Sequence, residues 1–328
     1  RRLPNKVTSS VPIQTLSQQD ISQLGIQNMA DAVRRFAGAN VKDYGGIGGL
    51  KTVSVRNMGA AHTAVSYDGV VVSNCQAGQI DIGRFSLDNV SVLSLNIGQP
   101  EDLLQSARMY ASAGVLSIET EKPHFENERN SAFRVQMRGG SFGYVSPSIR
   151  WWQKAGSRTS FSLNGNYMRA DGNYPFTLVN GKYVTEEKRN NSAIYTYQIE
   201  PTLFHTFKDS SNLELKAYYF YSKRGLPGSV TLYNPISDET LWDENVFIQT
   251  RYKKDFSQKW SLQAQAKYNH GWNKYEDKGN EYADGLYRAV HRQDEYYLSA
   301  TALYRPWNVL SLSCLLYTSP SPRDVEES

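Results

Sequence analysis

The residues of this sequence best suited to chemistry are five histidines, two cysteines and a scatter of carboxylates, and their spacing assembles no reaction centre. His62, His124, His205, His270 and His291 show no H-E-x-x-H or paired spacing of the kind that holds a metal. His270 and His291 flank one long polar stretch, where a pair of imidazoles could grip an iron chelate or a haem, although loop histidines of this kind are more often merely solvated. Cys75 and Cys314 provide neither a CxxC site nor a disulfide framework. No G-x-S-x-G elbow is present, the acidic run ISDETLWDEN reads as a solvated loop, and GGIGGL lacks the spacing of a dinucleotide loop. The expectation is a protein that is not an enzyme, with no catalytic residues, no metal and no cofactor.

What remains is chemistry for binding. Tyr174, Tyr183, Tyr233, Trp242, Trp272 and Tyr275 lie in long polar connections, where aromatic faces and phenol hydroxyls can meet a solute, and are the candidate ligand-facing side chains. Gly45, Gly46, Gly48 and Gly49 make a segment free enough to form a ligand-facing apex, or a simple connector. In VSVRNMGAAHTAVSYDGVVV, Asp68-Gly69 reads as a tight turn in preference to a ligand contact. Arg56 in the same stretch is either a partner for carboxylates on a facing wall, or a local ion pair or solvated strand end.

These residues need elements to carry them. With 328 residues the chain has room for two domains, and a net charge of +4 is too mild for a nucleic-acid surface. No run approaches the ~18–20 apolar residues of a membrane-spanning helix. That leaves open a transmembrane β-barrel, which crosses with short alternating strands and interfacial aromatics, and 22 Tyr and 6 Trp supply the aromatics. Up to about Pro123 the pattern is mixed. Ser17 with Asp20 is a capping-box helix start, Met29, Ala32, Val33 and Phe36 form one helix face, and Thr52 to Asn74 reads as a small strand pair whose Val53, Val55, Val65, Val70 and Val72 pack together.

Beyond Pro123 the period becomes two. Phe161, Leu163, Gly165 and Tyr167 alternate with Ser160, Ser162, Asn164 and Asn166, and Trp260, Leu262, Ala264, Ala266 and Tyr268 with Ser261, Gln263, Gln265, Lys267 and Asn269. Strands with one greasy and one polar face belong to an antiparallel sheet between dissimilar solvents. Short connections (KAGS, KDSS, SQK, RPWN) separate the long polar ones at about 170–191, 224–243 and 273–288, as periplasmic turns and extracellular loops do in outer-membrane barrels. Eight strands are expected from about Ser131 to Trp307 and a ninth from Val309. A soluble sheet with ordinary cross-strand aromatics is the competing reading.

VPIQTLSQQDISQLGIQNMADAVRRFAGANV, VSVRNMGAAHTAVSYDGVVV and VSVLSLNIGQPEDLLQSARMYASAGVLSIETEKP together resemble the plug of the TonB-dependent outer-membrane receptors. Arg56, Gly59, Asp68, Gly69 and Gly98 match that family's plug motifs, while Asn57 and Gln99 depart from them. The resemblance implies an α+β plug domain over 1–123 followed by an antiparallel transmembrane β-barrel, of which 124–313 would supply about eight to nine of an expected 22 strands. It also implies energised import of a scarce nutrient (siderophore, haem, corrinoid or glycan) across the Gram-negative outer membrane, with a TonB-type inner-membrane complex as partner and outer-membrane lipid as surroundings. A passive channel or adhesin barrel with a separate periplasmic domain is the alternative. No Ton box is identifiable in RRLPNKVTSS, and the expectation is a fragment beginning inside a longer product. CLLYTSPSPRD, from Cys314, resembles the translation of a transposase-type library adapter, so 314–328 is expected to be a non-native tail.

Overall fold

The computed structural model describes residues 13–44, 49–72, 79–98, 102–125, 129–228, 237–278, 284–307 and 310–318. Gly45, Gly46, Gly48, Tyr233 and Cys75 lie outside them. The first part holds β1 (Gln14–Ser17), α1 (Gln18–Gln23), α2 (Met29–Val33), β2 (Ala39–Asp43), β3 (Lys51–Val55), β4 (Thr63–Tyr67), β5 (Val70–Val72), β6 (Val90–Ile97), α3 (Ala107–Tyr110) and β7 (Gly114–Thr120). Ser17 caps α1 reciprocally. Its hydroxyl accepts from the Asp20 N–H at 3.2 Å, and Asp20 Oδ2 accepts from the Ser17 N–H at 2.8 Å. Met29, Ala32, Val33 and Phe36 are all buried, and they join Leu93, Leu95, Leu116 and Ile118 in one core.

Five of these strands form a sheet in the order β1-β6-β7-β4-β5, in which only β4 and β7 run parallel. The strand pair read over Thr52 to Asn74 is corrected. β3 pairs with β2 in a separate two-stranded sheet, and β4 pairs with β5 and β7. The reason is local: Arg56 and Asn57 both take left-handed backbone (φ 50° and 57°), and a 3-10 turn over Ala60–His62 then redirects the chain, so β3 cannot fold back on β4. The valines nevertheless pack as expected, since Val53, Val55, Val65, Val70 and Val72 are buried.

The second part is a nine-stranded antiparallel sheet of consecutive strands, interrupted only by a hairpin. Its members are β8 (Ser131–Gly139), β9 (Val145–Lys154), β10 (Thr159–Ala170), β13 (Ile194–Thr206), β14 (Asn212–Leu226), β15 (Glu239–Asp255), β16 (Trp260–Lys278), β17 (Leu286–Trp307) and β18 (Leu310–Thr318). The hairpin, β11 (Pro175–Asn180) with β12 (Tyr183–Lys188), fills the connection expected to be a polar loop at 170–191. The other long connections are shorter than expected, because β14 to β17 run on to 15, 17, 19 and 22 residues.

This sheet is inside-out. Ser148, Asn164, Gln198, Glu200, Lys216, Gln249, Gln265, Lys267 and Asn269 are buried beneath the first domain, while Phe133, Val135, Met137, Ile149, Phe161, Leu163, Ile199, Ile248 and Leu298 are exposed. An apolar outer face over a polar inner one suits a sheet with lipid outside. No described helix is long and apolar enough to cross a membrane. Outward aromatics form two bands. Near the short turns Trp260 stacks on Tyr304 at 4.4 Å and Phe133 on Trp151 at 6.0 Å, and farther along lie Tyr268 with Tyr296 at 5.0 Å and Tyr167 with Tyr197 at 5.1 Å. From Trp260 to Tyr268 is about 26 Å of strand, or about 20 Å along the normal at a tilt near 40°, close to the apolar band of a membrane barrel.

Candidate functional site at the contact of plug and wall

The two domains meet most tightly at one turn. β4 and β5 are joined by Asp68 and Gly69 at φ 49° and 81°, the left-handed pair that a two-residue hairpin between right-twisted strands requires. The turn sets the Asp68 carboxylate against the end of β7, where it accepts from the Thr120 N–H at 2.7 Å and the Thr120 hydroxyl at 2.8 Å. Lys216 of β14 reaches it from the wall. The ammonium donates to Asp68 Oδ2, to Glu200 Oε1 at 2.8 Å and to Thr120 Oγ1 at 3.0 Å, so all three of its donors are engaged. Glu200 of β13 also accepts from the Tyr67 hydroxyl and from Asn89 Nδ2 at 2.6 Å. Asp68, Lys216 and Glu200 are 4 %, 1 % and 0 % exposed, so each charge relies on the others rather than on water.

Burial pushes the Asp68 carboxyl upward, but the Lys216 charge, the hydrogen bonds from Lys216 and Thr120, and the nearby Arg251 outweigh it and hold the group below the ordinary carboxylate range. Burial, followed by the Glu200 and Asp68 charges, drives the Tyr67 hydroxyl well above its ordinary range, so it stays a donor. Beneath the charges is an aromatic floor. Tyr67 stacks on Phe85 at 5.1 Å and meets Tyr218 and Phe247 edge-on at 6.0 and 6.2 Å, and the Lys216 ammonium lies 4.8 Å from the Tyr67 ring.

Around this lock the wall grips main chain. Gln249 donates to the Tyr67 carbonyl at 3.1 Å, Gln265 to that of Gly69 at 2.8 Å and Lys267 to that of Val71 at 3.0 Å. Ion pairs fix the margins: Arg138 with Asp88, Arg150 and Arg134 with Glu121, and Arg108 with Glu295 at 3.3 Å. Such a junction sets position more than it adds stability, because the cost of desolvating charges cancels much of their attraction.

Gly69 is favoured by its backbone and has the end of the Arg251 side chain against it. Its φ suits glycine, and a Cβ there would lie 2.7 Å from Arg251 Nη1. Gly69→Ala is expected to cost about 1–2 kcal/mol for the left-handed backbone and to displace Arg251 from Glu214, which it holds at 2.7 Å. Gly181→Ala, at φ 62° with nothing within 4 Å of the added carbon, incurs the backbone cost alone. Thermal melts of the two variants check this, and equal shifts would mean that Arg251 yields freely.

The structure does not bring the sequence-derived residues together as one site. Asp68 and Gly69 form the turn as expected, but Asp68 is also the most deeply buried of the first domain's charges paired with the wall. Arg56, read either as a wall partner or as a local ion pair or solvated strand end, is exposed on its left-handed turn and makes no ion pair among the described residues. Gly59 and Gly98 hold positive φ (88° and 101°), and Gly49 sits in a bend. Of the aromatics, Tyr275 faces inward and donates to Glu239 at 2.9 Å, and Tyr174 and Tyr183 are exposed on the hairpin and its approach. Strand alternation puts Trp242 and Trp272 on the outer face, with Trp242 between Lys223 and Lys274 at 5.4 and 4.1 Å. His270 pairs with Asp294 at 2.8 Å on that outer face, whereas His291 is opposite inward Asn273, so the two do not converge on one ligand. Sequence reasoning missed Glu200, Lys216 and Gln249. The available signal was charge in mid-strand on a polar face.

Residues 5–107 match the family model described as TonB-dependent Receptor Plug Domain. Among solved structures the chain resembles the copper transporter OprC (TM-score 0.72, 16 % identity, 95 % of this chain and 47 % of that one). It also resembles the siderophore receptor PirA from Acinetobacter baumannii (0.65, 16 %, 94 % and 48 %) and the ferric enterobactin receptor PfeA from Pseudomonas aeruginosa (0.63, 14 %, 93 % and 48 %). The chain thus spans about half the length of these structures.

Proposed function

We propose that this chain, a member of the TonB-dependent receptors by its plug domain, serves the energised import of a scarce nutrient through the outer membrane of a Gram-negative bacterium. The observation that carries this reading is the charged lock of Asp68, Lys216 and Glu200. A lumen closed by a domain seated mainly on polar contacts, with Tyr218 and Phe247 the wall side chains that join its apolar core, can be opened by pulling, whereas one closed by a continuous greasy core cannot be opened without unfolding. The loop ends of β14 to β17 and the glycine segment about Gly45–Gly49 would receive the solute, with Tyr275 facing the lumen. A TonB-type inner-membrane complex would supply the pull. The domain bounds we favour are 1–123 for the plug and 124–313 for the barrel strands. The reading of 314–328 as a non-native tail rests on the adapter-like sequence, since Cys314 to Thr318 simply continue β18 against β17.

The test is uptake by intact cells carrying the receptor, with and without a functional TonB, over a panel of ferric siderophores, haem, cobalamin and maltodextrins. Surface binding that persists while accumulation stops in the TonB-deficient cells is the expected result. Accumulation that ignores TonB would instead make the barrel a passive channel.

A further inference from the structure

The cations of the wall are unevenly distributed between its ends. At the end with wide connections four of them are met by acids, Arg169 by Asp171 at 3.1 Å, Arg224 by Asp243 at 3.1 Å, and Lys274 and Arg288 by Glu276 at 3.0 and 2.8 Å, while Lys182 and Lys188 are exposed on a hairpin that also carries Glu186 and Glu187. The short-turn end is different. The turn after β9 carries Lys154 and Arg158, the turn after β13 carries Lys208, and the turn after β15 is bracketed by Lys253, Lys254 and Lys259. Against these six cations the same turns offer two carboxylates, and both are engaged. Asp209 accepts from Lys254 at 2.8 Å and from the Ser211 hydroxyl at 2.6 Å, and Asp255 accepts from Ser261 at 2.7 Å. Lys154, Arg158, Lys208 and Lys259 are exposed, and among the described residues none of the four is placed in an ion pair.

Their placement narrows the occupant. The turns recur every second strand, about 10 Å apart around the rim, so the charge forms a band along the circumference rather than a patch facing one direction. The band begins just beyond the aromatic belt of Trp151, Trp260 and Tyr304, and Lys254 leans over the ring of Phe256 at 4.8 Å. Such a belt sits at headgroup level, which puts the ammonium and guanidinium groups at the depth of lipid phosphates.

We propose that the short-turn rim is a binding surface for anionic phospholipid headgroups of the phosphatidylglycerol type in the leaflet it faces. Phosphate oxygens would accept from Arg158, Lys208 and Lys259, and the lipid would in turn fix the height of the wall against which the plug is seated. A protein partner fits less well, because a band that follows the membrane plane meets lipid at every turn.

This inference rests on the outer-membrane placement proposed above, so the two are tested separately. Sucrose-gradient fractionation reads the placement. Native mass spectrometry of the receptor purified from membranes, offered equal amounts of phosphatidylglycerol and phosphatidylethanolamine, reads the binding. The expected result is retention of phosphatidylglycerol, weakened about tenfold or more in the variant Arg158→Gln, Lys208→Gln, Lys259→Gln at low salt, since a cation near an anionic surface is worth roughly fivefold in affinity. Lys182→Gln with Lys188→Gln at the opposite end should leave it unchanged. A receptor that fractionates with the outer membrane but shows no preference between the lipids sinks this inference alone. Equal loss in the opposite-end variant, or displacement of the lipid by millimolar inorganic phosphate, also overturns it. A receptor absent from the membrane fraction would remove the placement and the inference together.

Discussion

Replacing Lys216 with methionine is expected to destabilise the seated plug by about 3–5 kcal/mol, the cost of leaving buried carboxylates without their cation. Asp68 and Glu200 both depend on that ammonium, and neither is more than 4 % exposed. The triple variant Asp68→Asn, Glu200→Gln, Lys216→Met should recover most of the loss, because a neutral set keeps hydrogen bonds without the desolvation of charge. Urea titration of the purified receptor, followed by protease access to the plug, measures both. Asp68 gives the pH sign. Its carboxyl is held below the ordinary range, so its share of stability is present above the unfolded value near 3.9 and disappears as pH falls through the lower folded value. In Lys216→Met burial acts on Asp68 without its cation and raises the carboxyl instead, so the variant takes up a proton at a higher pH than wild type and the gap, widest at neutral pH, should already narrow as pH falls toward 4. A loss under about 1 kcal/mol at neutral pH would mean that water reaches the cluster and that the lock carries little.

The sequence shows this lock from one side only. Asp68-Gly69 is readable as a turn because the residue pair itself prescribes positive φ at both positions. Nothing local says that the same carboxylate will face Lys216, which lies 148 positions away. The alternation along β13 to β16 does say which residues share the buried face, and on that face Glu200, Lys216 and Lys267 stand out as charges with almost no solvent to keep them. Arg56 is a different case. Its charge type suits a wall contact or a solvated strand end alike, and the structure leaves it exposed on the left-handed turn it shares with Asn57. Strand count and the polar and apolar faces were legible because period two reports them residue by residue. The length of β14 to β17 was not, since polar residues beyond the lipid layer suit strand and loop equally.

The 328-residue chain studied by itself is expected not to give a closed, cooperatively melting barrel in detergent. Among the described residues the sheet runs from β18 to β8 with no pairing between its ends, and Ser131–Gly139 and Leu310–Thr318 each have one edge without a partner strand there. In lipid or a detergent core an unpaired backbone group costs several kcal/mol, and even a few such groups along each edge exceed the net stability of a typical domain, about 5–15 kcal/mol. The plug does not relieve this, because it covers the polar face of the sheet rather than its edges. Curling to join β8 to β18 would close only nine strands, and a lumen that narrow cannot hold a domain with its own five-stranded sheet. Refolding into detergent should therefore yield broad, non-cooperative loss of β-type circular dichroism on heating. A sharp transition in a monomer of 37.1 kDa would show that the edges find partners within the chain, and a sharp transition at twice that mass would show that two copies supply each other's missing strands.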